Sequence, residues 1–259
     1  MKVCALSSGS SGNCFYIEED KEAILIDAGI SSKKIKERLA MLRLSAEKIR
    51  GIFITHEHID HLRGADVFAR EFDIPIFATK GTINNGFLCS NNKLINQIKN
   101  DEMISLKKLK VETFRKFHSA AEPVSYSIFS KKEDKKVSVI TDLGHACKNV
   151  AEKIAESDFL FLESNHDVNM LENGPYPYFL KKWIKSDEGH LSNIQAGLSV
   201  LEHSNSRLKN IVLSHLSKQN NTPKIALKTF KNLLKERENF NAEISVSLEA
   251  EPTRLFKVF

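Results

Sequence analysis

Three imidazoles and the Asp60 carboxylate fall within six residues of the stretch Thr55-His56-Glu57-His58-Ile59-Asp60-His61. The stretch directly follows Ile52-Phe53-Ile54, an apolar run that reads as a buried strand. A strand that ends there delivers its ligands to the mouth of a sheet. His56 and His58 alternate with Glu57, so in extended backbone they point the same way. Asp60 and His61 lie just beyond, where the chain turns toward a helix. One tetrahedral site seldom takes four ligands from one short segment, so two pairs of ligands suit two adjacent divalent ions. The competing reading is a polar loop that happens to be rich in histidine. The chain has only nine histidines in 259 residues, so three in six is not expected by chance. Glu57, between the ligands, is read as facing solvent.

The surrounding pattern is a mixture of strands and helices without a low-complexity linker, and it reads as one domain over residues 1–259. Strands are expected at Lys2–Leu6, Phe15–Ile17, Ala23–Asp27, Ile52–Ile54, Ile74–Phe77, Ile104–Leu106, Val111–Phe117, Phe159–Leu162, Ile211–Leu213, Ile244–Leu248 and Leu255–Phe259. Val124–Phe129 and Val137–Thr141 are expected to form a hairpin. Helices are expected from a cap at Ser31 or Ser32, with Ile35, Leu39 and Leu42 on one face, and at Leu62–Phe72 and Val150–Glu156. Two more are expected at Leu191–His203, with Ile194, Leu198 and Leu201 buried, and at Pro223–Arg237. Residues 80–100 are asparagine-rich and read as loop or short helix, and 164–190 read as a long connection. Lys33, Lys34, Lys36 and Arg38 read as the wet face of the first helix.

No run of about 18 apolar residues occurs, so no membrane insertion is expected. The first apolar run is too short for a signal peptide, which points to the cytoplasm. The four cysteines lack C-x-x-C spacing and read as buried free thiols, with a ligand role for Cys147, which closely follows Asp142 and His145, as the lesser alternative. The net charge of +5 is compatible with a polyanionic substrate but weak evidence for one.

Four further apolar runs end in a candidate ligand: Phe117-His118, Ile140-Thr141-Asp142, Leu162-Glu163-Ser164-Asn165-His166 and Leu213-Ser214-His215. A single histidine after a strand is usually structural. Several of them, from segments far apart in sequence, are what a sheet edge needs to build a site.

The pattern H-x-H-x-D-H at His56, His58, Asp60 and His61 resembles the signature of the metallo-β-lactamase superfamily. The resemblance implies an α/β fold, the four-layered αββα sandwich, holding one or two metals. It implies that His56, His58 and His118 hold one ion, that Asp60, His61 and His215 hold the second, and that Asp142 bridges both. Asp60 counts as catalytic on the same ground. The set is all imidazole and carboxylate, so Mn²⁺ or Fe²⁺ competes with Zn²⁺. Such a pair of ions lowers the pKa of water and neutralises charge on phosphoryl oxygens.

The match is closer than superfamily level. Ser7-Ser8-Gly9-Ser10-Ser11-Gly12-Asn13, His118 before Ala121-Glu122-Pro123, Glu163-Ser164-Asn165-His166-Asp167, Asn173-Gly174-Pro175-Tyr176-Pro177, Gly189-His190-Leu191-Ser192-Asn193 and Ser214-His215-Leu216-Ser217 together resemble the YycJ family, also called WalJ or VicX. That resemblance covers essentially the whole chain. It implies a cytoplasmic, metal-dependent 5′→3′ exonuclease of double-stranded DNA, genetically associated with a two-component regulatory system. One departure is Ser119, where an acidic residue is expected to support His118.

His166 and His190 lie outside the seven ligand positions. Each is a candidate to protonate the leaving oxygen or to bind phosphate, against the plainer reading of a satisfied loop histidine. Ser10, Ser11, Asn165 and Asn193 are candidate phosphate contacts, against a hairpin loop for the serines and loop packing for Asn165. Glu163 either hydrogen-bonds a ligand imidazole or forms a salt bridge. Tyr176, Tyr178, Phe179 and Trp183 lie beside Lys181, Lys182 and Lys185, a composition that suits unstacked bases and phosphates. For Phe179 and Trp183, packing on the core is the favoured reading. Two rival functions remain at this level: a hydrolase of small esters, thioesters or cyclic phosphodiesters using the same metals, and a metal-stabilised regulatory module. The sequence leaves oligomeric state open.

Overall fold

The structure is a computed structural model that describes residues 1–235, 237–238 and 240–258. The chain divides into two compact units. The first comprises the described residues of Met1–Arg115, Ala120–Lys135 and Leu248–Phe259, and the second Lys116–Ser119 with Lys136–Ser247.

In the first unit, β1 (Lys2–Ser7), β2 (Cys14–Glu19) and β3 (Glu22–Ile26) form an antiparallel meander whose residues are nearly all buried. The chain then changes to parallel crossovers. Helix α1 (Ser32–Met41) leads to β4 (Ile49–Phe53), α2 (Ile59–Leu62) and α3 (Ala65–Phe72) lead to β5 (Ile76–Thr79), and α4 (Lys80–Asn85) leads to β6 (Ile95–Ile98). Strands β3 to β6 pair in parallel, and the C-terminal strand Phe256–Lys257 closes the other edge on β1. Parallel pairing puts the carboxyl ends of β3 and β4 on one edge, where ligands collect in open α/β sheets. Strands β7 (Met103–Ser105), β8 (Leu109–Arg115) and β9 (Val124–Ser130) form a second antiparallel meander.

The second unit is parallel throughout. Strands β10 (Lys136–Ile140), β11 (Phe159–Glu163), β12 (Asn210–Ser214) and β13 (Glu243–Val246) lie in chain order. The crossovers are α5 (Lys148–Glu156), then α6 (Val168–Asn173), α7 (Tyr178–Ile184) and α8 (Asn193–His203), then α9 (Pro223–Leu234). The register sets Ile140 beside Leu162, and Glu163 beside Ser214. Asp142, Glu163 and His215 therefore emerge from one edge. Helix starts follow local chemistry: Ser31 caps α1, and Ser192 with Gln195 makes a capping box on α8.

The structure departs from the sequence reading at several elements. The helix expected over Leu62–Phe72 starts earlier and breaks at Arg63-Gly64. Gly64 donates to the Ala28 carbonyl at 2.8 Å, and a Cβ there would fall 2.1 Å from the Ile30 carbonyl oxygen. Residues 80–100 hold helix α4 and strand β6, and 164–190 hold α6 and α7. Ile194 and Leu198 are exposed on α8. The helix instead turns Ala196, Gly197 and Val200 inward, because Gly197 lets Leu233 of α9 approach closely. Helical periodicity is present, but small residues carry the packed face. Arg38 is buried, its guanidinium donating to the carbonyls of Leu6, Glu249 and Ala250. The helix expected to reach Arg237 ends at Leu234, with Glu236 outside the described residues. The final strand is Phe256–Lys257, and Phe259 of the expected Leu255–Phe259 lies outside the described residues. Among the described residues, no helix is long and apolar enough to cross a membrane.

Candidate metal centre

In the first unit the cluster starts from β3 and β4. Asp27, just past β3, sits in the left-handed region at φ 60°, a conformation that turns its carboxylate toward the end of β4. There it accepts from the Thr55 amide at 2.8 Å, the Thr55 hydroxyl at 3.0 Å and His61 Nδ1 at 2.7 Å. With Nδ1–H given to Asp27, Nε2 is the ligand nitrogen of His61. The Thr55 hydroxyl, donating to Asp27, accepts from His56 Nδ1 at 2.9 Å, so Nε2 is the ligand nitrogen of His56 as well. His58 faces it through Nδ1, 3.0 Å from His56 Nε2. Asp60 Oδ2 lies 3.3 Å from His61 Nε2.

The loop carrying these ligands is locked by backbone contacts. Asn13 donates its amide to the Asp60 carbonyl, and Ala28 donates to that of His61. Gly29 is required for this approach, since a Cβ there would lie 1.6 Å from the Asp60 carbonyl oxygen. The Asn13 side chain also reaches Asp60 Oδ2 at 3.4 Å. Of the expected phosphate-loop residues, Ser10 is exposed and the Ser11 carbonyl accepts from Arg63 Nη1. Asn13, three residues on from Ser10, touches the cluster at Asp60 and His61. Glu57, expected to face solvent, accepts from the Ala121 amide at 2.7 Å.

In the second unit, Asp142 at φ 57° and His215 at φ 56° occupy the same left-handed region at the ends of β10 and β12. Asp142, Glu163, His190 and His215 bring ligand atoms within 4.8 Å of one another. Glu163, fully buried, is the hub. Its Oε1 accepts from His190 Nδ1 at 2.8 Å and His215 Nδ1 at 2.9 Å, and its Oε2 from the amides of Leu143 and Leu191. Burial alone raises a carboxyl, but the His190 and His215 imidazoles outweigh it and hold Glu163 below its ordinary value.

His118 gives Nδ1–H to the Gly189 carbonyl at 3.2 Å, leaving Nε2 as its ligand nitrogen. Burial pushes this imidazole down to about 3, with Asp142 opposing, so it is neutral, the form a metal needs. Gly189 performs the service expected of an acid at position 119. Ser119 is exposed, and its amide donates to the Glu188 carbonyl, fixing the strap that carries Gly189.

The remaining candidates separate. His190 is part-exposed and pinned by Glu163. His166 is buried, driven by burial down to about 4, and its Nδ1 has no hydrogen-bond partner among the described residues. Asn165 donates to the His215 carbonyl, and Asn193 pairs its amide reciprocally with Asn221. Both asparagines are buried and spend their side-chain amides on ligand-bearing loops. The sequence reading missed Asp27, Thr55, Asn13 and Gly189 as supports. Asp27 carried a signal as an acid at a strand end, and Asn13, Thr55 and Gly189 lay inside the quoted motifs without a role assigned to them.

The donor set fits divalent cations. The imidazoles of His56, His61, His118 and His215 are buried, and in each the ring nitrogen not offered as a ligand meets an oxygen; Asp142 is buried, while His58 and Asp60 are half-buried.

The family model of the metallo-beta-lactamase superfamily matches residues 8–142. The chain is 34% identical over 237 residues to exodeoxyribonuclease YycJ of Bacillus anthracis, covering 90% of this chain and 88% of the relative. It is 36% identical over 245 residues to exodeoxyribonuclease WalJ of Streptococcus pneumoniae serotype 2, covering 92% and 89%. In fold it is similar to the metallo-beta-lactamase fold protein YhfI from Bacillus subtilis, with a TM-score of 0.72 at 14% identity over 97% of this chain and 98% of that one. The fold is the αββα sandwich, with its sheets mixed and flanked by helices. With a family model spanning half its length and relatives matched over about nine tenths of each chain, the chain belongs to the metallo-β-lactamase superfamily and, within it, to the YycJ/WalJ family.

Proposed function

We propose that this chain is a metal-dependent exodeoxyribonuclease, a single hydrolase domain that degrades double-stranded DNA 5′→3′ in the cytoplasm. One fold hosts many reactions, so the observation that carries the proposal is the identity of 34–36% to two exodeoxyribonucleases over nine tenths of the chain. The proposed ligands are His56, His58, Asp60, His61, His118, Asp142 and His215, and the proposed ions are two per chain, Zn²⁺ or Mn²⁺ with Fe²⁺ also compatible. Divalent ions bound there supply Lewis acidity, lowering the pKa of water and neutralising charge on the phosphoryl oxygens.

The chain's own residues do the rest. Asp27 and Thr55 hold the His61 and His56 rings in one tautomer, and Gly189 does the same for His118. Glu163 fixes His215 and His190 together. Outside the ligand set, His190 is the better placed of the two spare imidazoles to act on the leaving oxygen, because it is part-exposed while His166 is buried.

The test is a time course on end-labelled linear duplex DNA, single-stranded DNA and RNA, each with Mn²⁺ or Zn²⁺, with Asp60→Ala alongside. Stepwise loss from 5′ ends of the duplex, absent in the variant, is expected. A metal-loaded protein that cleaves none of the polymers but hydrolyses a small ester overturns the proposal.

A further inference from the structure

Helix α7 exposes large rings. Tyr178 is 80% and Phe179 73% exposed, although Phe179 reads in sequence as a core residue. Trp183 is a third ring on the same helix, four residues after Phe179 and so on the same face. Its indole meets the His190 ring edge-on at 5.5 Å and lies 6.3 Å from the His118 ring. The face of α7 that carries the exposed Phe179 therefore reaches, at Trp183, the Glu163-held imidazole and a proposed metal ligand, all within the second unit.

The charges on the helix divide into two kinds. Lys185 pairs with the Glu172 carboxylate, and Lys181 donates to the Glu172 carbonyl, so both tie α7 to α6. Lys182 is exposed and forms no ion pair or hydrogen bond among the described residues. It stands four residues after Tyr178 and three after Phe179, beside both rings. Two rings and one uncommitted cation are small for a protein interface, which takes on the order of 800 Å² from each partner. They match an unpaired nucleotide, which offers a ring face and a phosphate.

We propose that Tyr178 and Phe179 form a stacking ledge for the unpaired terminal bases of DNA, that Lys182 holds the adjoining backbone phosphate, and that Trp183 sets the ledge in position beside His190. The inference rests on the exodeoxyribonuclease reading and names how that site takes its substrate end. A ledge of this kind favours a frayed or overhanging end over a flush, fully paired one. It is indifferent to base identity, because every base has a ring face.

The test uses the metal-loaded full chain and a duplex whose terminal linkages are nuclease-resistant phosphorothioates, with 2-aminopurine as the unpaired terminal base. Wild-type protein is expected to quench the 2-aminopurine fluorescence by stacking. Phe179→Trp retains the quench, and the double variant Tyr178→Ala/Phe179→Ala loses it. With cleavable DNA, the double variant's ratio of terminal-nucleotide release to bis(4-nitrophenyl) phosphate hydrolysis falls about tenfold to a hundredfold. Lys182→Ala weakens binding of the overhang and flattens its salt dependence. Both rings are surface groups, so thermal melting of the variants is expected to match wild type. Wild-type protein that degrades DNA, with an undiminished quench in the double variant, overturns the ledge alone. Wild-type protein that hydrolyses the small diester but neither binds nor degrades DNA overturns the exodeoxyribonuclease reading first, and the ledge with it.

Discussion

Asp27 Oδ2 stands 2.7 Å from His61 Nδ1, an acceptor and a ligand-bearing ring joined across 34 positions of sequence. The same carboxylate also satisfies the amide and hydroxyl of Thr55, which in turn orients His56. Asp27→Ala is therefore expected to loosen two rings at once. Metal affinity falls roughly 10- to 100-fold, read as bound metal against a competing chelator. An unchanged affinity removes Asp27 from the role of orienting residue.

Gly29→Ala is expected to be severe, because the new Cβ meets the Asp60 carbonyl oxygen at 1.6 Å. The backbone must move and carry the ligand loop with it. Denaturant unfolding is expected to show a loss of about 3–5 kcal/mol, with metal binding impaired in whatever fraction remains folded. A variant that melts within a degree of wild type shows the loop to be freer than this packing.

Glu18 supplies a pH dependence remote from the metal ligands. Its carboxylate is buried among the Tyr16 hydroxyl at 2.5 Å, Lys48 Nζ at 2.9 Å and Lys2 Nζ at 3.3 Å. Burial works to raise its pKa, but the hydrogen bonds and the two ammonium groups prevail and lower it below 4.5. A depressed carboxyl stabilises the fold above its unfolded pKa and loses that contribution as pH falls through the folded one. Glu18→Gln is expected to cost about 2 kcal/mol at pH 7, with the gap to wild type closing below pH 4.5. Urea unfolding at several pH values checks this, and a gap that widens in acid contradicts it.

Metal loading itself is expected to raise the melting temperature. An ion held only by the folded chain adds about 2.7 kcal/mol when present at 100 times its dissociation constant. Chelation reverses the gain. The Asp60→Ala protein is expected to respond less, and an identical response places the bound metal elsewhere.

Asn193→Ala separates support from substrate contact. The side chain accepts from the Ser164 hydroxyl and pairs with the Asn221 amide in a buried setting. Its removal is expected to lower stability by about 1–3 kcal/mol with no change in KM for duplex DNA while the protein stays folded. A raised KM without lost stability restores Asn193 to the substrate.

The ligand-bearing stretch was legible because its chemistry is local: His56, His58, Asp60 and His61 stand together in sequence. The strands around it were legible for the same reason, since buried parallel strands read as continuous apolar runs. What stayed hidden depends on approach between distant segments. The Gly189 carbonyl that supports His118 is a backbone atom, and any residue offers one. The packed face of α8 is set by Gly197 against Leu233, so its larger Ile194 and Leu198 pointed the periodicity the wrong way. Phe179 was assigned to the core on composition, which says nothing of which way a short helix turns.

His190 and His215 both lean on one oxygen, Glu163 Oε1, so the two rings share a support. Removing one leaves the whole oxygen to the other, and a double-mutant cycle across the pair should not sum. Genetically, the two positions are epistatic: the effect of changing either depends on which residue stands at the other.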